Sequence, residues 1–286
     1  MKTKILSFLV VCGLTVIGCQ KDDLGSIADE AKVNAKIDLV NDDVSDIVEN
    51  AYDATATNGS GRGLESATSQ SNLPACATVT RVPAFGTPLT TGQTVTKTID
   101  FGTEGCPMAN GNVLKGQIVV TFTYIPNATE QSINYQFVNF YHNDIKIEGN
   151  KTFTRTFPNG HPVVVMNMDL TATFPDGRVF TRVGSRTREI IAGYDTPLVL
   201  SDNVYQVTGE WTTTYPNTTS QTSTITTPLQ VKMSCALVNK PLIVQGVITF
   251  QRGLQTSTLD YGTGDCDNLA VYTINGNAYN IIIGNP

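Results

Sequence analysis

Hydrophobic and polar residues follow two different periods along this chain. Between residues 26 and 53, apolar side chains recur every three or four positions, which places them on one face of an α-helix. Ser26 can cap this helix, and Asp29 and Glu30 suit the positive end of its dipole. We predict a helix at 26–53 that packs on the main domain or on another chain. The apolar positions are Ile37, Val40, Val44, Ile47, Val48 and Ala51.

From Cys76 onward the period shortens to two. Thr, Val, Ile, Phe and Tyr alternate with polar residues in runs such as 117–124, and clusters of Pro, Asn, Asp and Gly separate the runs. This alternation is typical of antiparallel strands with one face towards a core and the other towards water. It predicts about a dozen strands. The expected fold is all-β, an antiparallel sandwich or a curved multi-stranded sheet, with one short N-terminal helix.

Two segments of the β region match each other. Each begins with Cys-Ala, continues to an Asp-aromatic-Gly-Thr sequence, and reaches a second cysteine 30 or 31 residues after the first. Four cysteines allow three pairings, and the repeat favours the disulfides Cys76–Cys106 and Cys235–Cys266. It also indicates that the β domain, 76–286, consists of two similar units. Zinc is disfavoured because the chain has no Cys-x-x-Cys pair and only two histidines.

The N-terminus has the parts of a bacterial secretory signal. Lys2 and Lys4 precede an apolar stretch too short to span a membrane, and Val16-Ile17-Gly18-Cys19 follows. This last segment resembles a lipobox, the site where a signal peptide is cleaved and lipid is attached. The resemblance implies removal of residues 1–18 and acyl chains, such as palmitate, on Cys19. The alternative is an ordinary signal peptide with Cys19 unmodified.

Lys21, Asp22 and Asp23 come next, in a predicted tether at 19–25. They resemble the export signal of Bacteroidota surface lipoproteins, which implies an outer-membrane lipoprotein facing the cell exterior. The alternative is a charged tether with no signal function. Residues 54–75 are polar and rich in Gly, Ser and Thr, so we predict a flexible linker spanning about 26 Å on average. The whole chain resembles Thr-rich, disulfide-paired β lipoproteins, and this resemblance implies no activity.

The charge of the chain excludes one class of partner. Without the leader it has 17 basic and 25 acidic residues, a net charge of −8. Binding to nucleic acid requires clustered Lys and Arg, so we expect no such partner. We expect no cofactor and no catalysis, because His142 and His161 lie far apart and the sequence has no nucleophile motif.

Five residues in the middle of the β region are candidates for ligand binding. Arg182, Arg186 and Arg188 stand at even spacing, which puts them on one strand face. They can bind a carboxylated glycan or a lipid head group; the alternative is an exposed face neutralised by nearby acids. Trp211 and Tyr215 also share a strand face and can form a sugar platform. Core packing is the alternative for the tryptophan.

Three carboxylates near the second disulfide form a candidate calcium site. Asp260, Asp265 and Asp267 are close in sequence, and glycines between them permit a turn. The alternative, which the sequence favours, is that each Asp caps a turn through backbone amides.

These observations predict a lipid-anchored, non-catalytic binding or accessory module. We expect it to contact the membrane through its lipid. We expect its other partner to be a glycan or an outer-membrane protein. The alternatives are a structural or adhesive surface protein and, less favoured, a hydrolase acting on glycans or esters.

Overall fold

The computed structural model describes residues 21–58, 73–158, 160–196 and 199–283. These residues form one α-helix and fourteen strands, which confirms the predicted all-β fold with one N-terminal helix. The helix, α1, is Lys21–Asn58. The strands are β1 Thr78–Val82, β2 Thr94–Asp100, β3 Cys106–Pro107, β4 Val113–Thr123, β5 Glu130–His142, β6 Ile145–Thr156, β7 Val163–Thr173, β8 Val179–Ala192, β9 Val204–Thr214, β10 Ser220–Lys232, β11 Ile243–Arg252, β12 Gln255–Thr263, β13 Leu269–Ile274 and β14 Asn277–Ile282.

The strands form a single antiparallel sheet in sequence order, except that the two-residue β3 pairs only with β4. Neighbouring strands in such a meander need only short connections. Two short 3₁₀ helices, Leu200–Asp202 and Met233–Val238, stand in the β8–β9 and β10–β11 connections. Within the described residues β1 and β14 are the two edges, so the sheet is open.

The sheet curves around α1. Lys97 on β2 donates to the carbonyl of Ala51 at 2.6 Å, and Tyr261 on β12 donates to Asp38 at 3.3 Å. Strands near both edges therefore reach the same helix. The apolar stripe of α1 packs on the sheet of its own chain. Between residues 31 and 48, the side chains that are not buried are those of Lys32, Lys36 and Asp46.

The helix is longer than the predicted 26–53. It begins at Lys21, inside the predicted tether, and ends at Asn58, inside the predicted linker at 54–75. Packing against the sheet extends to Thr55, and such tertiary packing outweighs weak local signals. The linker therefore joins two parts of one body, although residues 59–72 lie outside those described. No helix in the described ranges is both long enough and apolar enough to cross a membrane.

The interior contains two apolar clusters. The first is built mainly from β2–β7 and includes Cys106, whereas the second is built mainly from β9–β14 and includes Cys235. Helix α1 contributes to both. Each cluster has one disulfide at its margin, Cys76–Cys106 or Cys235–Cys266, as predicted.

The two ends of the sheet lie near different ends of α1. The β7–β8 turn lies near its start, where Arg178 pairs with Asp29. Hairpins β9–β10, β11–β12 and β13–β14 turn at the same end of the sheet, which we call the proximal rim. Connections β4–β5, β6–β7 and β8–β9 turn at the other end, where Arg155 pairs with Asp53. We call this end the distal rim.

Candidate functional site

The three arginines of β8 lie inside the sheet and face α1. Side chains on one face of a strand repeat about every 6.6 Å, and every fourth residue of a helix repeats about every 6.0 Å. Because these steps nearly match, the arginines meet acidic residues on successive turns of α1. We call this set the charged ladder. Its members are Arg182, Arg186 and Arg188 on β8, and Asp38, Asp42, Asp46 and Glu49 on α1.

Asp38 is the best-bonded carboxylate of the ladder. Arg182 donates to it at 2.6 Å, and Arg186 and the hydroxyl of Tyr261 also donate. Asn34, one turn earlier, accepts a second bond from Arg182 at 2.9 Å. Asp38 and both arginines are at most 1 % exposed, so these bonds replace the water that the Asp38 carboxylate lost on burial. Nε and Nη1 of Arg186 have no hydrogen-bond partner among the described residues.

Asp42 is bonded much less well. It lies 4.0 Å from Arg186, and its Oδ2 has no hydrogen-bond partner among the described residues. Burial raises the pKa of Asp42 to about 7, against the opposing effect of Arg186 and Arg188. Burial likewise raises the pKa of Asp46 to about 6. Arg188 makes its direct hydrogen bond to Glu49 instead, at 3.0 Å.

Trp211 fills a gap in the ladder. Gly184 takes the strand position between Arg182 and Arg186, and it pairs in register with Trp211 on β9. A Cβ at Gly184 would collide with the backbone of Glu210 and Trp211. The indole ring lies 5.1 Å from the guanidinium carbon of Arg182 and 4.0 Å from that of Arg186. The tryptophan therefore supports two buried cations through its ring face.

This burial overturns two predicted ligand sites. Arg182, Arg186 and Arg188 are at most 1 % exposed, and the carboxylates they bind belong to α1. Their use as a glycan or head-group site is therefore wrong. Trp211 and Tyr215 are 1 % and 5 % exposed, so the predicted sugar platform is wrong as well. The alternating pattern of β8 did not predict that the arginines are buried, because they occupy the inward positions that apolar residues normally take.

The Asp residues near the second disulfide bind backbone amides. Asp260 accepts a hydrogen bond from the amide of Gly262 at 2.9 Å, and Asp267 accepts one from the amide of Leu269 at 2.9 Å. These are the turn caps considered as the alternative to calcium. Within the described ranges, no group of three or more His, Cys, Asp or Glu side chains is placed to hold a metal ion. The calcium site, which also involved Asp265, gains no support.

The two histidines lie at different places. His142 is buried and bonds Asp43 of α1 at 2.8 Å, while Asn112 donates to the same carboxylate oxygen at 2.6 Å. This group joins α1 to the first half of the sheet. His161 lies at the distal rim and bonds Glu189 at 2.7 Å.

The N-terminal candidates are only partly described. Cys19 and the predicted signal peptide at 1–18 lie outside the described residues. Lys21, Asp22 and Asp23 form the first turn of α1, so the export-like segment is helical in the structure.

At the distal rim, the end of α1 and three loops enclose a pocket of about 260 Å³, the distal pocket. Its walls come from four separate segments of the chain, and five of the eleven lining residues are aromatic. The side chains that define it are Tyr52, Asp53, Tyr124, Arg155, Phe157 and Tyr194.

An ion pair lies in the wall of the distal pocket. Arg155 pairs with Asp53, and its guanidinium carbon lies 5.4 Å from the ring of Tyr52 and 5.0 Å from that of Phe157. Burial raises the pKa of Asp53, against the effect of Arg155. Burial would lower the pKa of Arg155, but Asp53, Glu49 and Tyr52 together outweigh burial and raise that pKa. The side chain of Asp53 remains 43 % exposed and Tyr194 is 41 % exposed, so both can contact a ligand.

A second, shallower hollow of about 430 Å³ adjoins the pocket through Tyr194. It contains His161, Glu189 and Asp195. Among its described lining residues there is no Ser, Thr or Cys to act as a nucleophile. The hollow therefore offers a His–Glu pair without the partner that acyl transfer requires.

Comparisons with protein-family models, curated proteins and solved structures find no match to this chain. Its function is therefore inferred from its own residues.

Sequence reasoning missed the acidic side of the ladder and all of the distal pocket. A signal for the ladder was present, since Asn34, Asp38, Asp42 and Asp46 recur at strict four-residue spacing beside the apolar stripe. For the pocket the sequence carries no local signal, because residues from 52 to 194 meet only once the sheet has curved.

Proposed function

We propose that this chain is a non-catalytic glycan-binding module, anchored in the outer membrane by lipid on Cys19. The observation that carries the proposal is the position of the distal pocket. The helix from Lys21 to Tyr52 spans about 46 Å at 1.5 Å per residue. A pocket at its far end is presented away from an anchor at its start, where a ligand outside the membrane can reach it.

The chemistry of the distal pocket suits a sugar. A sugar ring has an apolar face of C–H groups and a rim of hydroxyl donors. Tyr194 and Phe157 offer aromatic faces for the first, and the Asp53 carboxylate offers acceptors for the second. Arg155 fixes the orientation of that carboxylate. Ligand pockets commonly combine aromatic walls with a few polar groups of this kind.

The anchor is supported by the lipobox-like segment and by the Lys-Asp-Asp sequence that follows it. Each buried methylene contributes about 0.8 kcal/mol, so two or more acyl chains hold a protein stably at a membrane. Only Gln20 separates Cys19 from the start of α1. The body is therefore held close to the membrane surface and does not hang on a long spacer.

Glycan-array binding tests the ligand. We expect the parent chain to bind, and Tyr194→Ala to weaken binding about fivefold through loss of an aromatic face worth about 1 kcal/mol. Asp53→Asn should weaken it too, because the neutral amide is a poorer acceptor. Tyr141→Ala, far from the pocket on β5, is the control and should bind like the parent. If no glycan binds, or if Tyr194→Ala binds like the parent, the proposal is wrong.

Membrane fractionation tests the anchor separately. Cys19→Ala should release the chain in soluble form, because no acyl chain can then be attached. Cys12→Ala changes a cysteine within the predicted leader and should leave membrane retention unchanged. Retention of Cys19→Ala at the parental level would refute lipidation.

A further inference from the structure

Tyr194 lines two neighbouring hollows at the distal rim. One is the distal pocket, and the other contains His161, Glu189 and Asp195; we call it the histidine hollow. The distal pocket has a volume of about 260 Å³ and the histidine hollow about 430 Å³, so together they offer about 690 Å³. Ligand sites commonly enclose roughly 300–1,000 Å³. The distal pocket alone does not reach this range, whereas the two hollows together do.

A hydrogen-bonded turn holds Tyr194 between the two hollows. The amide of Thr196 donates to the carbonyl of Gly193 at 3.2 Å, and the hydroxyl of Thr196 donates to Asp202 at 2.6 Å. Gly193 has a positive φ of +87°, and a Cβ there would collide with Asn203. The turn is therefore packed closely against the residues that lead into β9, and Tyr194 forms a wall common to both hollows.

The histidine hollow is more polar than the distal pocket. His161 bonds Glu189 at 2.7 Å, and these side chains remain 28 % and 36 % exposed. The pairing of β7 with β8 ends at Glu189, so residues 190–192 of β8 extend beyond β7 and line the hollow with their backbone. Imidazole, carboxylate and backbone groups supply both donors and acceptors, and sugar hydroxyls require both.

We infer that the histidine hollow binds a second sugar unit, so that the chain recognises glycans of at least two linked units across Tyr194. The inference rests on the proposed glycan-binding function and adds the length of glycan that the site accepts. The first unit lies against the aromatic side chains of the distal pocket. The second unit bonds His161 and Glu189 through its hydroxyls. Because Glu189 and Asp195 are acidic, this second unit is neutral and not carboxylated.

Calorimetric titration with neutral sugars of increasing length tests the inference. The full chain is used in a detergent that has no sugar head group. The probes are glucose, cellobiose and cellotriose, and xylose, xylobiose and xylotriose. In at least one series we expect the disaccharide to bind about thirtyfold more tightly than its monosaccharide, as two further hydrogen bonds of ordinary strength would give.

Two variants show whether the gain comes from the histidine hollow. His161→Ala should reduce the ratio of monosaccharide Kd to disaccharide Kd to near one, because the second unit loses its bonds. Tyr141→Ala changes the end of β5 that lies away from the distal rim, and should keep the parental ratio. A parental ratio in His161→Ala would overturn the inference.

The chain has two histidines, and their imidazole signals give an independent measurement. In a chain labelled with nitrogen-15 histidine, His161→Gln assigns the signals by removing one set. We expect the binding disaccharide to shift the signals of His161 and to leave those of His142, which is 2 % exposed, unchanged. The matching monosaccharide should shift the His161 signals much less.

The two ways of failing are distinct. If a monosaccharide binds but its disaccharide binds no more tightly, or binds without shifting the His161 signals, the inference is overturned and glycan binding stands. If none of the six saccharides binds, the proposed glycan-binding function is overturned and the inference with it.

Discussion

The charged ladder and the two apolar clusters share one interior but stabilise the fold in different ways. In the clusters, stabilisation follows the apolar area removed from water and tolerates exchange between side chains of similar volume. In the ladder, every charge has lost water, and its net contribution depends on whether a partner replaces that water. The Asp38 carboxylate has such partners. Asp42, one helical turn later, has an oxygen without a partner among the described residues.

This difference indicates what each region contributes to the fold. An apolar side chain finds similar surroundings if α1 slides by a small distance, whereas a charge separated from its partner does not. We infer that the clusters supply most of the stability and that the ladder sets the axial position of α1 in the sheet.

The largest expected effect comes from breaking the ladder at its best-bonded residue. Asp38→Ala leaves Arg182 and Arg186 buried without their carboxylate, which should cost about 4 kcal/mol in the free energy of unfolding. Urea denaturation measures this. Asp176→Ala removes one of the two carboxylate partners of Arg178, in an exposed pair, and should change stability little. Equal losses in the two variants would contradict the role given to the ladder.

The next effect depends on pH and concerns Asp42. Because its folded-state pKa is raised to about 7 from 3.8, the folded chain holds a proton that the unfolded chain has lost between these values. Stability should therefore fall as the pH rises from about 4 to about 7, by up to about 4 kcal/mol. Asp42→Asn removes this titration and should make the fall smaller, measured as unfolding free energy against pH. Asp46, whose pKa is raised to about 6, keeps part of the fall.

Lys151 provides a control for the pH dependence of the unfolding free energy. Burial lowers the pKa of Lys151 to about 7 from 10.5, so its contribution changes only above pH 7, where stability rises with pH. Lys151→Met should leave the fall between pH 4 and 7 intact. A profile that rises with pH in that window would contradict the assignment to Asp42.

The smallest effect belongs to a conservative change in the first cluster. Ile118→Val removes one buried methylene from β4 and should cost about 1 kcal/mol at every pH between 4 and 8. Denaturation at pH 5 and pH 7 measures this. If the loss depends strongly on pH, the two regions are coupled and the contrast drawn between them fails.

The periodic parts of the fold were predictable, and the exceptions have physical causes. Three- and four-residue spacing located α1, and alternation located the strands, because each pattern reports one buried face. The repeated cysteine segments gave both disulfides. The middle of β8 misleads this reasoning, since Arg182, Arg186 and Arg188 point inward while Val183 is 56 % exposed. Burying charge is favourable there only because α1 brings acids to meet it.

The distal pocket could not be predicted, for a different reason. Tyr52 lies in the last two turns of α1, Arg155 is the last residue but one of β6, and Tyr194 lies in a loop after β8. Each has an ordinary local role as an aromatic or charged residue near a chain turn. Only the curvature of the sheet brings them together, and curvature arises from the packing of the whole molecule.

The enclosure of α1 also determines when the chain can fold. The helix precedes every strand in the sequence, yet its hydrogen-bond partners lie far along the chain. Asp43 bonds His142, 99 residues later, and Asp38 bonds Tyr261, 223 residues later. Contacts between residues so far apart form slowly, because the intervening chain must first be brought together. A nascent chain that has only its N-terminal half therefore cannot bury all of the helix. The helix is therefore fully enclosed only when almost all of the chain is present.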